Sequence, residues 1–170
     1  GVVEDGRGGV AHVEQQLEKP RVARLGAHAR GAGVAMRFEN ALADDRCCLD
    51  RDQIKQVVIN IALNGIQACA RGGSVTVRLR EASDPAFVEI ELADTGPGVP
   101  EEIADKLYDP FFTTRPEGTG MGLSVSRKIA ESHGGRISHR SVRGAGTSFF
   151  VELPRTTLVS ADRAAAPATN

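Results

Sequence analysis

Asp50-Arg-Asp-Gln-Ile-Lys-Gln-Val-Val-Ile-Asn-Ile-Ala-Leu-Asn-Gly-Ile-Gln-Ala-Cys-Ala70 is the stretch on which the fold turns. Asp50 starts it as an N-cap, with Gln53 three residues on as its capping-box partner. Apolar Ile54, Val57, Val58, Ile61, Ala62 and Ile66 predict a long helix that stops at Gly72-Gly73. Its polar exceptions, Gln56, Asn60, Asn64, Gln67 and Arg71, fall at offsets of four, four, three and four, which gathers them in one stripe. A solvated helix edge would account for a stripe, but Glu and Lys serve that purpose better. Asn costs roughly a few tenths of a kcal/mol per position in a helix. Two asparagines one turn apart need another reason, and a neutral amide oxygen suits an Mg²⁺ ion shared with nucleotide phosphates.

Outward from this helix, Ser74–Arg80 and Phe87–Leu92 alternate apolar with polar residues and read as strands of a sheet with one buried face. Val34–Phe38 reads as a first strand, and Arg136–Val142 and Thr147–Leu153 as the last two, joined by a glycine-rich turn. Helices are expected over His12–His28, broken or restarted at Pro20, over Glu101–Tyr108 and over Gly122–Ser132. Sequential antiparallel pairs of strands favour a two-layer α/β sandwich over a sheet of regular βαβ units. Residues 1–18 read as a linker or the remnant of an upstream helical region, 19–154 as one domain, and the Ala/Thr-rich 155–170 as a disordered tail.

Two loops carry chemistry. Asp94-Thr-Gly-Pro-Gly98 follows a strand directly. Alone it is an ordinary turn, and a second such motif, needed for an aspartic-protease pair, is absent. A carboxylate on a pocket floor can accept from the adenine amino group, whereas guanine would present it with another acceptor. Gly96 and Gly98 let the backbone turn beneath a flat ring.

In Pro110-Phe-Phe-Thr-Thr-Arg-Pro-Glu-Gly-Thr-Gly-Met-Gly-Leu123, the three glycines can aim successive N–H groups into one concavity at the start of a helix. Arg115 adds a cation. The glycine spacing is neither that of a dinucleotide fingerprint nor that of a P-loop. Phe111 and Phe112 read equally as hinge anchors of a lid or as core residues. Gly144, Gly146 and Thr147 make a hairpin turn, with Thr147 a further candidate contact to a base.

The 170 residues carry a net charge of -1, no tryptophan and the single tyrosine Tyr108. That excludes a basic field or a stacking platform for nucleic acid. Cys47, Cys48 and Cys69 have no metal spacing and read as reduced thiols of a cytoplasmic protein. No apolar run approaches the roughly 20 residues that span a bilayer, so this segment is expected to make no direct membrane contact.

Taken in order, these motifs resemble the catalytic ATP-binding domain of two-component sensor histidine kinases, within the gyrase/Hsp90/histidine kinase/MutL superfamily. The resemblance covers roughly residues 34–154. Gln56–Ala68 is similar to the family's N box, Asp94–Gly98 to G1, Asp109–Phe112 to the F box, Gly118–Gly122 to G2 and Gly144–Thr147 to its last glycine motif. The Phe-Phe-Thr-Thr-Arg lid and His133-Gly-Gly-Arg136 look like the nitrogen-regulation branch. The resemblance implies a Bergerat fold, with ATP and Mg²⁺ as ligands. It also implies Asn64 on the metal, and Asp94, Gly96 and Gly98 around the adenine, with Thr147 beside them. Asn60, Thr114, Arg115 and the Gly118-Thr119-Gly120-Met121-Gly122-Leu123 backbone would hold the phosphates. Asn60 and Arg115 would assist transfer. Partners implied are a dimerisation domain bearing the phosphoacceptor histidine and a response regulator. Gly65 and Met121 stand where alanine and leucine are commoner. Asn60 occupies the position where hydrolytic members carry a glutamate, and an amide cannot accept water's proton, so transfer is favoured over hydrolysis. None of His12, His28, His133 or His139 has the acceptor's surroundings. The alternatives are an ATP-binding regulatory module without transferase activity and, third, an ATPase.

Overall fold

The computed structural model describes residues 9–12, 20–43, 46–116 and 118–155. Its elements are β1 (Gly9–His12), α1 (Pro20–Ala32), β2 (Ala35–Asn40), β3 (Arg46–Leu49), α2 (Arg51–Ala68), β4 (Ser74–Glu81), β5 (Phe87–Asp94), α3 (Glu101–Ala104), α4 (Gly122–Ser132), β6 (Arg136–Val142) and β7 (Gly146–Pro154). Five strands form one sheet in the order β2-β4-β5-β7-β6. The β2–β4 pair is parallel, because α2 lies on the crossover between them, and the other neighbours are antiparallel. The sheet is therefore mixed, as a two-layer α/β sandwich with mostly antiparallel strands requires.

Period-two alternation sends Val75, Val77, Leu79, Val88, Ile90, Leu92, Phe149, Val151 and Leu153 to one face. There they meet Ile54, Val57, Val58, Ile61 and Ile66 of α2, Leu25 and Ala29 of α1, and Ile129 and Ala130 of α4. Each such Ile, Leu or Val contributes roughly 1.5–3 kcal/mol by leaving water. The opposite face is laced with charge: Arg78 pairs with Glu39 and Glu91, Arg80 with Glu89, and Arg136 with Glu152.

Two expectations are corrected, and two points the sequence left open are resolved. Gly9–His12, within the stretch read as a linker and the start of a helix, form a strand that pairs antiparallel with β3, so Val34–Phe38 is not the first strand. Pro20, with its φ preset for a first helical turn, begins α1, the second of the two roles the sequence left open to it. The helix expected over Glu101–Tyr108 keeps only its first turn. Beyond Ala104 the bonds run from residue i to i−3, as from Lys106 N–H to the Ile103 oxygen and Asp109 N–H to that of Lys106. Phe111 is no core residue: it is 75% exposed with φ +67. Residues 1–8, 13–19 and 156–170, including the rest of the expected tail, lie outside the described residues; Arg155, read as the first residue of the tail, instead donates its N–H to the Ala86 oxygen at 2.7 Å.

The N-terminus of α2 closes in a way the capping box alone does not predict. Asp50 accepts from the N–H groups of Asp52 and Gln53 at 3.0 and 3.1 Å, and the Gln53 side chain donates to its second carboxylate oxygen. The Asp50 N–H donates instead to His133 Nε2 at 3.0 Å, while His133 Nδ1 lies 2.8 Å from the Ile129 oxygen. His133 thus joins the last turn of α4 to the first of α2.

Candidate nucleotide site

α2 and α4 form two walls of a cavity of about 960 Å³, with the loop after β5 and the 110–121 lid closing the others. Asn60 and Asn64 reach it from α2, one turn apart. Asp94 reaches it as the last residue of β5. Gly98, Thr114, Arg115, Gly118, Thr119, Gly120, Gly122, Leu123 and Thr147 complete the expected set on its lining.

Gly96 and Met121 do not line it. The Gly96 N–H donates to Asp94 Oδ1 at 2.8 Å from behind the carboxylate. Met121 is the residue before α4, its carbonyl accepts from Val125 N–H, and its side chain turns outward.

Asp94 also accepts from the Thr147 N–H at 3.3 Å, again through Oδ1, so two backbone donors leave Oδ2 for a ligand. Burial pushes its pKa above the usual carboxylate value, opposed by those N–H groups and by the Arg115 charge. The carboxylate can approach α2 because Gly65 has no side chain: a β-carbon there would stand 3.1 Å from that of Asp94. On the other side, a β-carbon on Gly146 would lie 1.9 Å from the Asp94 carbonyl oxygen, at φ +106. Only glycine fits under this strand end.

The Asn60 side-chain amide donates to the Gly122 oxygen at 3.2 Å and to Ser126 Oγ at 3.4 Å. It therefore binds α2 to the first turn of α4 as well as lining the cavity. That first turn has no side-chain cap and no acidic residue, so its N–H groups and positive end remain available to an anion. The lid is pinned at its neck, where Phe111 N–H donates to the Gly120 oxygen at 3.0 Å. A side chain on Gly120 would collide with the Phe111 backbone at 2.3 Å.

Residues that sequence reasoning did not assign to the site also line it. Val99, Pro100, Ile103 and Leu107 make an apolar wall with Phe149, suited to a flat ring. Thr113 Oγ1 accepts from the Arg115 N–H at 3.1 Å and shapes the lid turn. Gln67, visible in the polar stripe only as its next member, meets Arg115. Among the described residues no group of three or more His, Cys, Asp or Glu could hold a metal.

Residues 49–157 match the family model described as "Histidine kinase-, DNA gyrase B-, and HSP90-like ATPase". The C4-dicarboxylate transport sensor protein DctS of Rhodobacter capsulatus is 46% identical over 62% of this chain, and sensor histidine kinase ZraS of Klebsiella oxytoca 37% over 74%. These matches span only 16% and 27% of those two proteins. The solved catalytic domain of histidine kinase ThkA superposes with a TM-score of 0.76 at 33% identity, covering 88% of this chain and 96% of that one. ThkA is also solved in complex with response regulator protein TrrA, where the TM-score is 0.72 at 32% identity over 88% of this chain and 42% of that one. The chain belongs to the histidine kinase-, DNA gyrase B- and HSP90-like ATPase family, and its mixed sheet packed against α1, α2 and α4 is that family's α/β fold.

Proposed function

We propose that this chain is the ATP-binding catalytic domain of a sensor histidine kinase. It would present the ATP γ-phosphate to a histidine on a separate dimerisation domain, for relay to a response regulator. The observation that carries the reading is one cavity shared by a desolvated carboxylate, a helix-borne pair of asparagines, a lid arginine and an uncapped helix start. Asp94 Oδ2 accepts from the adenine amino group, the apolar wall holds the ring, and the first turn of α4 with Gly118–Gly122 cradles the phosphates. Asn60 offers no proton acceptor to a water, which favours transfer over hydrolysis.

The residues present fit Mg²⁺. The Asn64 amide oxygen already accepts from a cationic guanidinium, and one neutral oxygen beside phosphates suits an ion that keeps most of its waters. When bound, the ion neutralises phosphate charge; Arg115 adds a second positive charge from the lid.

On this reading residues 19–154 hold the catalytic domain, to which Gly9–His12 add a strand through their pairing with β3. The response regulator partner is supported by the complex that ThkA forms. No helix among the described residues is long and apolar enough to cross a membrane, which suits the cytoplasmic part of a sensor kinase. With γ-labelled ATP, label should appear on a supplied histidine-bearing dimerisation domain and not on this chain. Nucleotide bound without transfer would favour a regulatory module, and abundant free phosphate an ATPase.

A further inference from the structure

Arg115 folds back across the mouth of the cavity onto α2. Its Nη2 donates to the Asn64 backbone oxygen at 2.9 Å, and its Nη1 donates to Asn64 Oδ1 at 3.3 Å and to Gln67 Oε1. Burial lowers the guanidinium's pKa and the charge of Asp94 opposes this, but an arginine stays protonated at any physiological pH. The amide oxygen offered above to the metal is therefore already engaged by a cation of the protein's own. A guanidinium and a divalent ion cannot share one amide oxygen without strong repulsion. Gln67 lies on the same stripe as Asn64 and lines the same cavity, yet the nucleotide reading gives it no task. Beside the Asn64 backbone oxygen, its amide oxygen supplies the one side-chain contact of Arg115 on α2 that does not use the metal ligand's amide, and so helps to set where Arg115 rests.

We propose that Gln67 is a positioning residue: it latches Arg115 onto α2, and metal-bound nucleotide engages only as the guanidinium leaves Gln67 and Asn64. The inference rests on the nucleotide reading of the cavity. It makes Mg²⁺ and Arg115 competitors for Asn64 Oδ1. The protein with the latch closed is a non-competent fraction, and that fraction weakens the apparent affinity. Exposed to solvent, the Arg115–Gln67 bond counts as an ordinary net hydrogen bond, which corresponds to about a three- to tenfold effect on that equilibrium.

Gln67→Met keeps side-chain length and helix preference but has no amide acceptor. In the nucleotide-free protein, amide hydrogen exchange across residues 112–119 should speed up several-fold, since the Arg115 and Gly118 N–H groups bond within that lid turn. Unchanged exchange would overturn the latch, and this measurement holds whatever ligand the cavity takes. By calorimetry with Mg²⁺ and a non-hydrolysable ATP analogue, Gln67→Met should bind about three- to tenfold more tightly than wild type. It should change nothing when Arg115 is already alanine. Weaker binding, or an equal shift in both backgrounds, would mean that Gln67 serves the ligand directly and would overturn the proposal. A wild-type protein that binds no nucleotide counts against the nucleotide reading alone, and the exchange result then decides the latch.

Discussion

Asp94→Asn separates recognition from folding at the residue where the two are most entangled. In the native pocket Oδ1 accepts from Gly96 and Thr147, and an asparagine oxygen can keep both bonds. The amide nitrogen then takes the place of Oδ2 and turns a hydrogen-bond donor toward the adenine amino group, itself a donor. The loss combines a charge-assisted hydrogen bond, about 1.5–3 kcal/mol, with an opposed pair of donors. A total of about 2–4 kcal/mol corresponds to roughly a 30- to 700-fold weaker Kd. The same nitrogen would face the carbonyl of guanine favourably, so the preference for adenine should shrink or reverse.

Stability moves the other way. Because burial raises the Asp94 pKa, the charged carboxylate is a cost to the empty fold at neutral pH, and a neutral amide removes it. With a raised folded-state pKa, the native protein gains stability as pH falls through that value. The advantage of asparagine is therefore greatest at neutral pH and fades in acid. Calorimetry with Mg-ADP and Mg-GDP, paired with thermal unfolding at two pH values, reads all three effects. Adenine affinity within about threefold of wild type, with guanine still excluded, would refute the assignment of Asp94 as base reader.

Asn64→Ala should weaken nucleotide binding more with Mg²⁺ than in EDTA, and equal losses by calorimetry would remove Asn64 from the metal. Gly146→Ala sets a β-carbon 1.9 Å from the Asp94 oxygen at φ +106, so a loss of about 3 kcal/mol or more should appear in denaturant unfolding. His133→Ala strands the Asp50 N–H at the start of α2 and should cost about 1–3 kcal/mol by the same measurement. Burial lowers the His139 pKa, with Asp105 opposing, while its Nδ1 lies 3.1 Å from the Tyr108 hydroxyl, whose own pKa burial pushes up to about 12. The unfolded chain then takes the proton first, so stability is complete above the ordinary value of 6.5 and declines as pH falls below it. Denaturant midpoints between pH 7.5 and 5.5 should show that decline, and His139→Gln should flatten it.

How much of the site the sequence carries follows from which periodicities decide it. Val88, Ile90 and Leu92 point to the helix layer, so Asp94, two residues further, must do the same. The 3.6-residue repeat of α2 likewise puts Asn60 and Asn64 on one stripe, and both inferences are local. That the two faces meet depends on register: Asp94 pairs with Val75 on one side and Thr147 on the other, beneath the bare Gly65. The β1–β3 pair was not legible, because four-residue strands far apart in sequence carry too little alternation to register. Nor was the contact between Gln67 and Arg115, 48 residues apart, since neither residue has a local signature that names its partner. Phe111 shows the same limit in the backbone. Its type suggests burial, yet its backbone is left-handed where Gly120 packs against it, and its ring stands exposed. Local patterns thus assign residues to faces, and long-range packing alone decides which polar atoms on those faces already hold one another before a ligand arrives.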